Sequence, residues 1–292
     1  MRIKKAVILA AGFGTRMLPQ TKAVPKELLP IVDKPSIQYL VEEAADSGIT
    51  DILIVISRGK SIIEDHFDRS PELESHLQAK ANESLLQQIR AVSSLANIYF
   101  IRQTVMNGTA VALKSAQEFT GGEPFAVMYG DDIIFNPQGK PALAQLIDSY
   151  DRYGKGVAGV QLVSENDIHK YSSMKVKHIS GHDFELSDMI EKPSKEQVFS
   201  LYSILGRLIL PPCIYTYIDN TPLGVNDEFQ ITDAMKALAR KEGMIACEFE
   251  GKRYDMGSKM GFMQAQVETA LRHPLIGRDF KKYLMDLIKD MN

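Results

Sequence analysis

Only two cysteines, Cys213 and Cys247, occur among the 292 residues, far apart and outside any metal-ligand spacing. That excludes a cysteine-held metal cluster and leaves two buried, reduced thiols as the expected reading. An excess of one charge sign is also missing: 34 Lys and Arg stand against 37 Asp and Glu, a formal net charge of −3. Such a balance gives no general attraction for nucleic acid or for an anionic membrane, so neither is an expected partner. Any phosphate would have to be held by a few placed groups in a locally positive cleft. No apolar run approaches the ~20 residues needed to span a bilayer. The basic start Met1-Arg2-Ile3-Lys4-Lys5 and the run Ala6 to Ala11 imitate a signal peptide only loosely, because the run ends in Gly12, Phe13, Gly14, Thr15 and Arg16. A buried strand entering a turn fits better, and a cytoplasmic location is expected.

What is present is ordinary for a globular chain, 45% hydrophobic and 24% charged. Short apolar runs at Ala6–Ala10, Asp51–Ile56, Ile98–Ile101 and Phe125–Tyr129 read as strands buried on both faces. Helical periodicity lies between them, at Pro35–Ser47 (with Gly48 as its stop), Val111–Glu118 and Pro141–Tyr153. This alternation predicts an α/β fold: a doubly wound, mainly parallel, Rossmann-like mixed sheet flanked by helices. The polar segment Ser61–Ser94 is nearly free of Gly and Pro, so it reads as two or three surface helices. After Gly156 the pattern turns strand-rich, at Val157–Val163, Met174–Ile179 and Leu205–Leu210. A helix at Gln230–Glu242, a strand near Ile245–Phe249 and two amphipathic helices, Ser258–Arg272 and Gly277–Met291, follow. A single unit over 1–292 is expected.

The informative stretch runs from Leu9 to Pro19, with Pro25-Lys26-Glu27-Leu28-Leu29-Pro30 after it. A glycine-rich loop directly behind a buried strand lets backbone N–H groups approach a phosphate or base closely. The topology puts that loop at the carboxyl edge of the sheet, where open α/β folds bind ligands. Arg16 adds a planar fork and Lys26 a point charge nearby. A dinucleotide fingerprint fails because Thr15, Arg16 and Met17 follow Gly14, with no third glycine. A Walker loop fails because Gly59-Lys60-Ser61 lacks the upstream glycine and follows the wrong strand.

The combined stretch resembles the signature of sugar-1-phosphate nucleotidylyltransferases. Nearly the whole chain is similar to their bacterial UTP–glucose-1-phosphate uridylyltransferase (UDP-glucose pyrophosphorylase) branch. Further matches are Asp33 to Tyr39, Arg102-Gln103, Gly130-Asp131-Asp132, Ile190-Glu191-Lys192-Pro193, Gly206-Arg207, Asp227 to Ala234 and Tyr254-Asp255-Met256-Gly257. The resemblance implies a nucleotidyltransferase-type fold with a nucleotide-binding half (1–135), a sugar-binding half (136–260) and C-terminal helices (261–292).

It also implies the roles. Gly12 and Gly14 would wrap the nucleotide, with the Ala10 and Ala11 backbone near the base and Thr15 and Glu27 in the same set. Arg16 would hold the triphosphate and Lys26 the reacting phosphates. Gln103 and Gly108 would read the uracil edge, since an amide both donates and accepts. Asp131, also at the nucleotide, would share one Mg²⁺ with Asp255; Asp132 and Asp227 rank behind them as ligands. Glu191 would accept from glucose hydroxyls, Lys192 would neutralise the sugar phosphate, and Ser172 and Gly206 would complete the sugar side. The implied reaction joins UTP and glucose 1-phosphate into UDP-glucose and pyrophosphate by in-line attack, without a covalent intermediate. The alternatives are the same chemistry with dTTP or another hexose 1-phosphate, or a non-catalytic nucleotide-sugar-binding paralogue; a dehydrogenase is a distant third. Three departures bear on sugar identity and catalytic efficiency: Ala110-Val111 where the family often has Gly-His or a similar pair, Tyr171-Ser172 where it usually has Tyr-Gly, and the more polar segment Lys175 to Asp188. In the last helix Phe280, Leu284, Leu287 and Ile288 recur at helical spacing, and the resemblance implies a homodimer or higher homo-oligomer.

Overall fold

The computed structural model describes residues 2–224 and 227–291. The chain begins with β1 (Lys5–Leu9), a short hairpin of β2 (Pro30–Ile31) and β3 (Lys34–Pro35), α1 (Ser36–Asp46) and β4 (Asp51–Ile56). Three surface helices follow, α2 (Ile62–Phe67), α3 (Pro71–Ala79) and α4 (Glu83–Val92), as the polar, glycine-poor segment predicts. Then come β5 (Asn97–Arg102), α5 (Thr109–Lys114), α6 (Gln117–Thr120), β6 (Phe125–Tyr129), β7 (Asp132–Phe135) and α7 (Ala142–Tyr153). The second half holds β8 (Val157–Leu162), β9 (Ser172–Ser180), β10 (Asp183–Glu191), β11 (Tyr202–Leu210), α8 (Ile214–Asp219) and α9 (Ile231–Glu242). β12 (Met244–Glu248), β13 (Lys252–Asp255), α10 (Lys259–Arg272) and α11 (Gly277–Met291) end it.

Nine strands form one mixed sheet in the order β5-β4-β1-β6-β11-β8-β12-β10-β9. β5, β4, β1 and β6 run parallel, and β11 enters antiparallel between β6 and β8. The apolar runs are continuous because both faces are covered. Along β1, Ala6 and Ile8 pack into the core beside α1 and α7, whereas Val7 packs into the core beside α5, α8 and α9. That is the doubly wound α/β architecture expected, with its loops at the carboxyl ends of the parallel strands forming one edge.

Several elements differ from the expectation, the short β2–β3 hairpin among them. β10 was not anticipated, although DFELSDMIE carries much of the polar–apolar alternation of a strand with one wet face. α8 was also missed. β7 and β13, neither of them anticipated, form a separate two-stranded sheet in the register Asp255↔Asp132, so Asp255 ends a strand. Cys247 is buried, but Cys213 is exposed beside α8, so only one thiol is interior.

Candidate active site

The first cleft opens where β1 ends. The loop behind it is anchored by Ala10 N–H donating to Val55 O (2.9 Å) and Gly130 N–H to Leu9 O (3.0 Å). Gly14 adopts φ 68°, a left-handed conformation that glycine takes without steric penalty, and starts a 3-10 turn over Thr15–Met17. Thr21 Oγ1 fixes this bend by donating to Gly14 O (2.8 Å). Ala11, Gly12, Gly14 and Thr15 line a cleft of about 360 Å³ whose far wall is Gln103, Gly108 and Tyr129. Gln103 is buried, and its Nε2 donates to Val105 O (2.8 Å), which fixes the amide plane and leaves Oε1 and the second N–H for a ligand. Gly108 sits at φ 96°, where a Cβ would collide with the Phe229 backbone; Ala110 N–H donates to that same Phe229 O (3.0 Å).

At the mouth of this cleft lies a seam of alternating charges. Lys26 Nζ is 2.6 Å from Asp131 Oδ2, and Arg16 reaches Asp131 Oδ2 at 3.7 Å and Asp255 Oδ2 at 3.4 Å. Burial opposes charge on Lys26, but Asp131 and Glu27 outweigh it and hold its pKa above the ordinary lysine value. Burial likewise pushes Asp131 up, and Lys26 and Arg16 more than reverse it, leaving the carboxyl below its ordinary range. Both groups are therefore ionised at neutral pH.

Asp131 and Asp255 are brought together by the β7–β13 pairing, with Met256 N–H donating to Asp131 O (2.8 Å). Gly257 leaves the space between them: a Cβ there would lie 2.8 Å from Asp131 Oδ2, 3.0 Å from Asp255 Oδ1 and 2.5 Å from Arg16 Nη2. Two hard oxygen donors facing one gap, already attracting a guanidinium, suit a small divalent cation that completes its shell with water and phosphate. Among the described residues no cluster of three His, Cys, Asp or Glu provides a self-sufficient protein metal cage.

A second cleft, of about 240 Å³, shares Thr109, Tyr129 and Asp131 with the first and is walled by Tyr171, Ser172, Glu191 and Arg253. Glu191 Oε2 accepts from Thr232 Oγ1 (3.0 Å), and burial raises its carboxyl pKa. Ser172 pairs with Glu191 across β9 and β10, and its Oγ accepts from Ile204 N–H (3.3 Å).

Four predicted site residues are placed differently from expectation. Ala10 is fully buried and lines neither cleft, its N–H donating to Val55 O and its carbonyl accepting from Lys60 Nζ (2.6 Å). Glu27 is buried behind the loop, ion-paired to Lys60 at 2.8 Å, and does not line the nucleotide cleft. Lys192 has an exposed side chain with no hydrogen bond or ion pair among the described residues; its backbone, at φ 46°, donates to Tyr171 O (2.8 Å). Gly206, at φ 75°, is demanded by Asp132, whose Oδ2 would lie 2.5 Å from a Cβ, and it lines neither cleft. Of the lower-ranked carboxylates, Asp227 is exposed and lines neither cleft, although its neighbour Glu228 lines the first. Asp132 lines the second cleft but is engaged by Arg253 Nε (2.6 Å) and Nη2 (2.5 Å), and burial pushes its carboxyl up to about 6 against that pull.

Arg253 is the principal residue that sequence reasoning missed, although it directly precedes the recognised Tyr254-Asp255-Met256-Gly257. Its Nη1 donates to Tyr171 OH (3.2 Å), and its guanidinium lies 5.1 Å from that ring's centroid, so it fixes the wall of the sugar-side cleft.

An α/β sheet with a glycine-rich loop, paired carboxylates and two confluent clefts defines a phosphate-transfer class of enzyme. The nucleotidyl transferase family model matches residues 5–271, and the chain belongs to that family. Within it, the chain is 47% identical over 288 residues to the UTP–glucose-1-phosphate uridylyltransferase YngB of Bacillus subtilis, covering 99% of this chain and 96% of that one. It also superposes on a UTP-bound UDP-glucose pyrophosphorylase of Acinetobacter baumannii with a TM-score of 0.91 at 33% identity, covering 98% of this chain and 99% of that one. Similarity extends to a UDP-glucose pyrophosphorylase in complex with UDP-glucose, with a TM-score of 0.85 at 37% identity, 93% of this chain and all of that one.

Proposed function

We propose that this chain transfers a uridylyl group from UTP to glucose 1-phosphate, giving UDP-glucose and pyrophosphate. The observation that carries the reading is the Lys26–Asp131–Arg16–Asp255 seam, set where a nucleotide cleft and a second, smaller cleft meet. UTP takes the first cleft, its base against Gln103 and its phosphates against the loop, Arg16 and Lys26. Glucose 1-phosphate takes the second, with its hydroxyls at Glu191. A phosphate oxygen of the sugar then attacks the α-phosphorus in line, and pyrophosphate leaves. The phosphate monoester is already a nucleophile, so no protein base or covalent intermediate is required.

The obstacle is bringing polyanions together while charge grows on the leaving group. Lys26 and Arg16, paired with carboxylates in the free protein, are positioned to exchange those partners for phosphate oxygens. Lys192 joins them only if its exposed side chain swings towards the sugar phosphate. Asp131 and Asp255 would hold Mg²⁺, which supplies charge neutralisation to the phosphates when bound. A cytoplasmic location belongs to the same proposal, since both substrates are charged metabolites that do not cross bilayers unaided.

Purified protein with UTP, glucose 1-phosphate and Mg²⁺ should release pyrophosphate. EDTA should abolish that release, and dTTP or galactose 1-phosphate should support less of it. No release with any nucleotide and hexose phosphate would remove the catalytic assignment and leave the nucleotide-sugar-binding paralogue.

A homo-oligomer belongs to the same proposal. On α11, Phe280 and Leu284 are half-buried, whereas Tyr283, Met285 and Leu287 remain 60%, 54% and 41% exposed, more apolar surface than own-domain packing predicts. Sedimentation of the full chain should give at least twice the monomer mass of 32.6 kDa; a monomer at micromolar concentration would discard this part.

A further inference from the structure

Lys60 lies directly beneath the glycine-rich loop, and the reaction above gives it no task. Its ammonium points inward and donates to Ala10 O (2.6 Å), Gly12 O (2.8 Å) and Glu27 Oε2 (2.8 Å). A lysine has three donors, so all of them are spent. Both partners of the ion pair are buried, Lys60 at 7% exposure and Glu27 at 1%.

Such a pair is a poor device for stability alone. Burial lowers the Lys60 pKa and raises that of Glu27, so each charge is held against desolvation. Glu27 Oε1 has no hydrogen-bond partner among the described residues, a further penalty that calls for a reason. The reason is geometric. A trans peptide unit is planar, so its N–H points opposite to its C=O. With the Ala10 and Gly12 carbonyls turned inward onto Lys60, the N–H groups of Ala11 and Phe13 are turned outward. Ala11, Gly12 and Phe13 line the nucleotide cleft, and among the described residues none of their N–H groups donates to a protein acceptor. We infer that Lys60, braced by Glu27, is a positioning residue that presets the backbone donors of the glycine-rich loop for the oxygen acceptors of the nucleoside triphosphate.

This inference rests on the proposed reaction, and its test separates the two. Lys60→Met and the double variant Lys60→Met/Glu27→Leu are compared with wild type by urea denaturation, UTP calorimetry and the KM of each substrate. The single variant strands a buried carboxylate and should be less stable. The double variant removes both charges at similar volume and should regain most of that stability. Both should bind UTP ~10–100-fold more weakly, as one or two lost hydrogen bonds to a charged ligand predict, with KM for glucose 1-phosphate within ~3-fold. Glu27→Gln, which removes the ionic brace but leaves Lys60 its two carbonyls, should weaken UTP binding less than Lys60→Met does; a loss equal to that of Lys60→Met would overturn the role given to the carbonyls. Wild-type UTP affinity in the double variant, or a parallel loss of both substrates, would overturn the inference alone. Failure of the wild-type chain to bind UTP would overturn it together with the reaction.

Discussion

Asp131→Ala is expected to lower turnover by ~10²–10³-fold, about 3–4 kcal/mol of transition-state stabilisation, with the protein still folded. Asp131 is the one carboxylate in contact with both cations of the seam, at 2.6 Å from Lys26 and 3.7 Å from Arg16. It also supplies one of the two oxygens facing the Gly257 gap. On the proposed reaction, its loss would remove a metal ligand and leave Lys26 without the carboxylate that orients it in the free protein. On that same reaction, Lys26→Ala and Asp255→Ala should each lower kcat by a comparable ~10²-fold or more, the first by removing a cation that would meet the reacting phosphates and the second by removing a carboxylate that would hold the metal. The discriminating measurement is steady-state kcat across a Mg²⁺ titration. The aspartate variants should require more Mg²⁺ for half-maximal rate, whereas Lys26→Ala should keep the wild-type midpoint. Near-normal kcat in two of the three variants would sink the site assignment.

The side of the site built from local sequence was legible, and the side built from distant pairing was not. The buried parallel strands announce themselves as apolar runs: β4 and β6 were bounded to the residue, and β1 to within one at each end. The glycine-rich loop, with Arg16 and Lys26, is a contiguous motif whose chemistry follows from its position behind β1. By contrast, β7 and β13 are four residues each and exist only because they pair across more than a hundred positions. Neither DIIF nor KRYD carries that information locally, so the strand that delivers Asp255 is not legible in the sequence. The inward direction of Glu27 is equally invisible, since it depends on Lys60 arriving from the end of β4. The resemblance gives Gly206 as a sugar contact, yet the need for glycine there comes from Asp132, four strands earlier in chain order.

The largest expected effect on stability lies away from both clefts, in Arg207 and Glu43. Arg207 is fully buried in β11, and its Nε and Nη2 donate to Glu43 Oε1 (3.0 Å) and Oε2 (2.6 Å) on α1. Glu43 Oε1 also accepts from Leu143 N–H (3.0 Å) in the first turn of α7, and Arg207 Nη1 donates to Gly206 O (3.0 Å). One carboxylate thus joins a helix, a central strand and the start of a second helix. Glu43→Ala leaves an uncompensated guanidinium in the core and should cost about 3–5 kcal/mol in urea denaturation. Replacing both partners, as Glu43→Leu/Arg207→Met, should recover most of that loss, because the desolvation penalty of two ions disappears with them. What it does not replace is the capping of Leu143 N–H, typically worth ~1 kcal/mol. The residual deficit should be of that order, and a single-variant loss below ~1 kcal/mol would mean that solvent reaches Arg207. Arg207 also holds the Gly206 carbonyl, and Gly206 packs on Asp132, which grips Arg253 in the sugar-side wall. Breaking the pair should therefore raise KM for glucose 1-phosphate more than KM for UTP, tying the stability of the core to the cleft that receives the sugar.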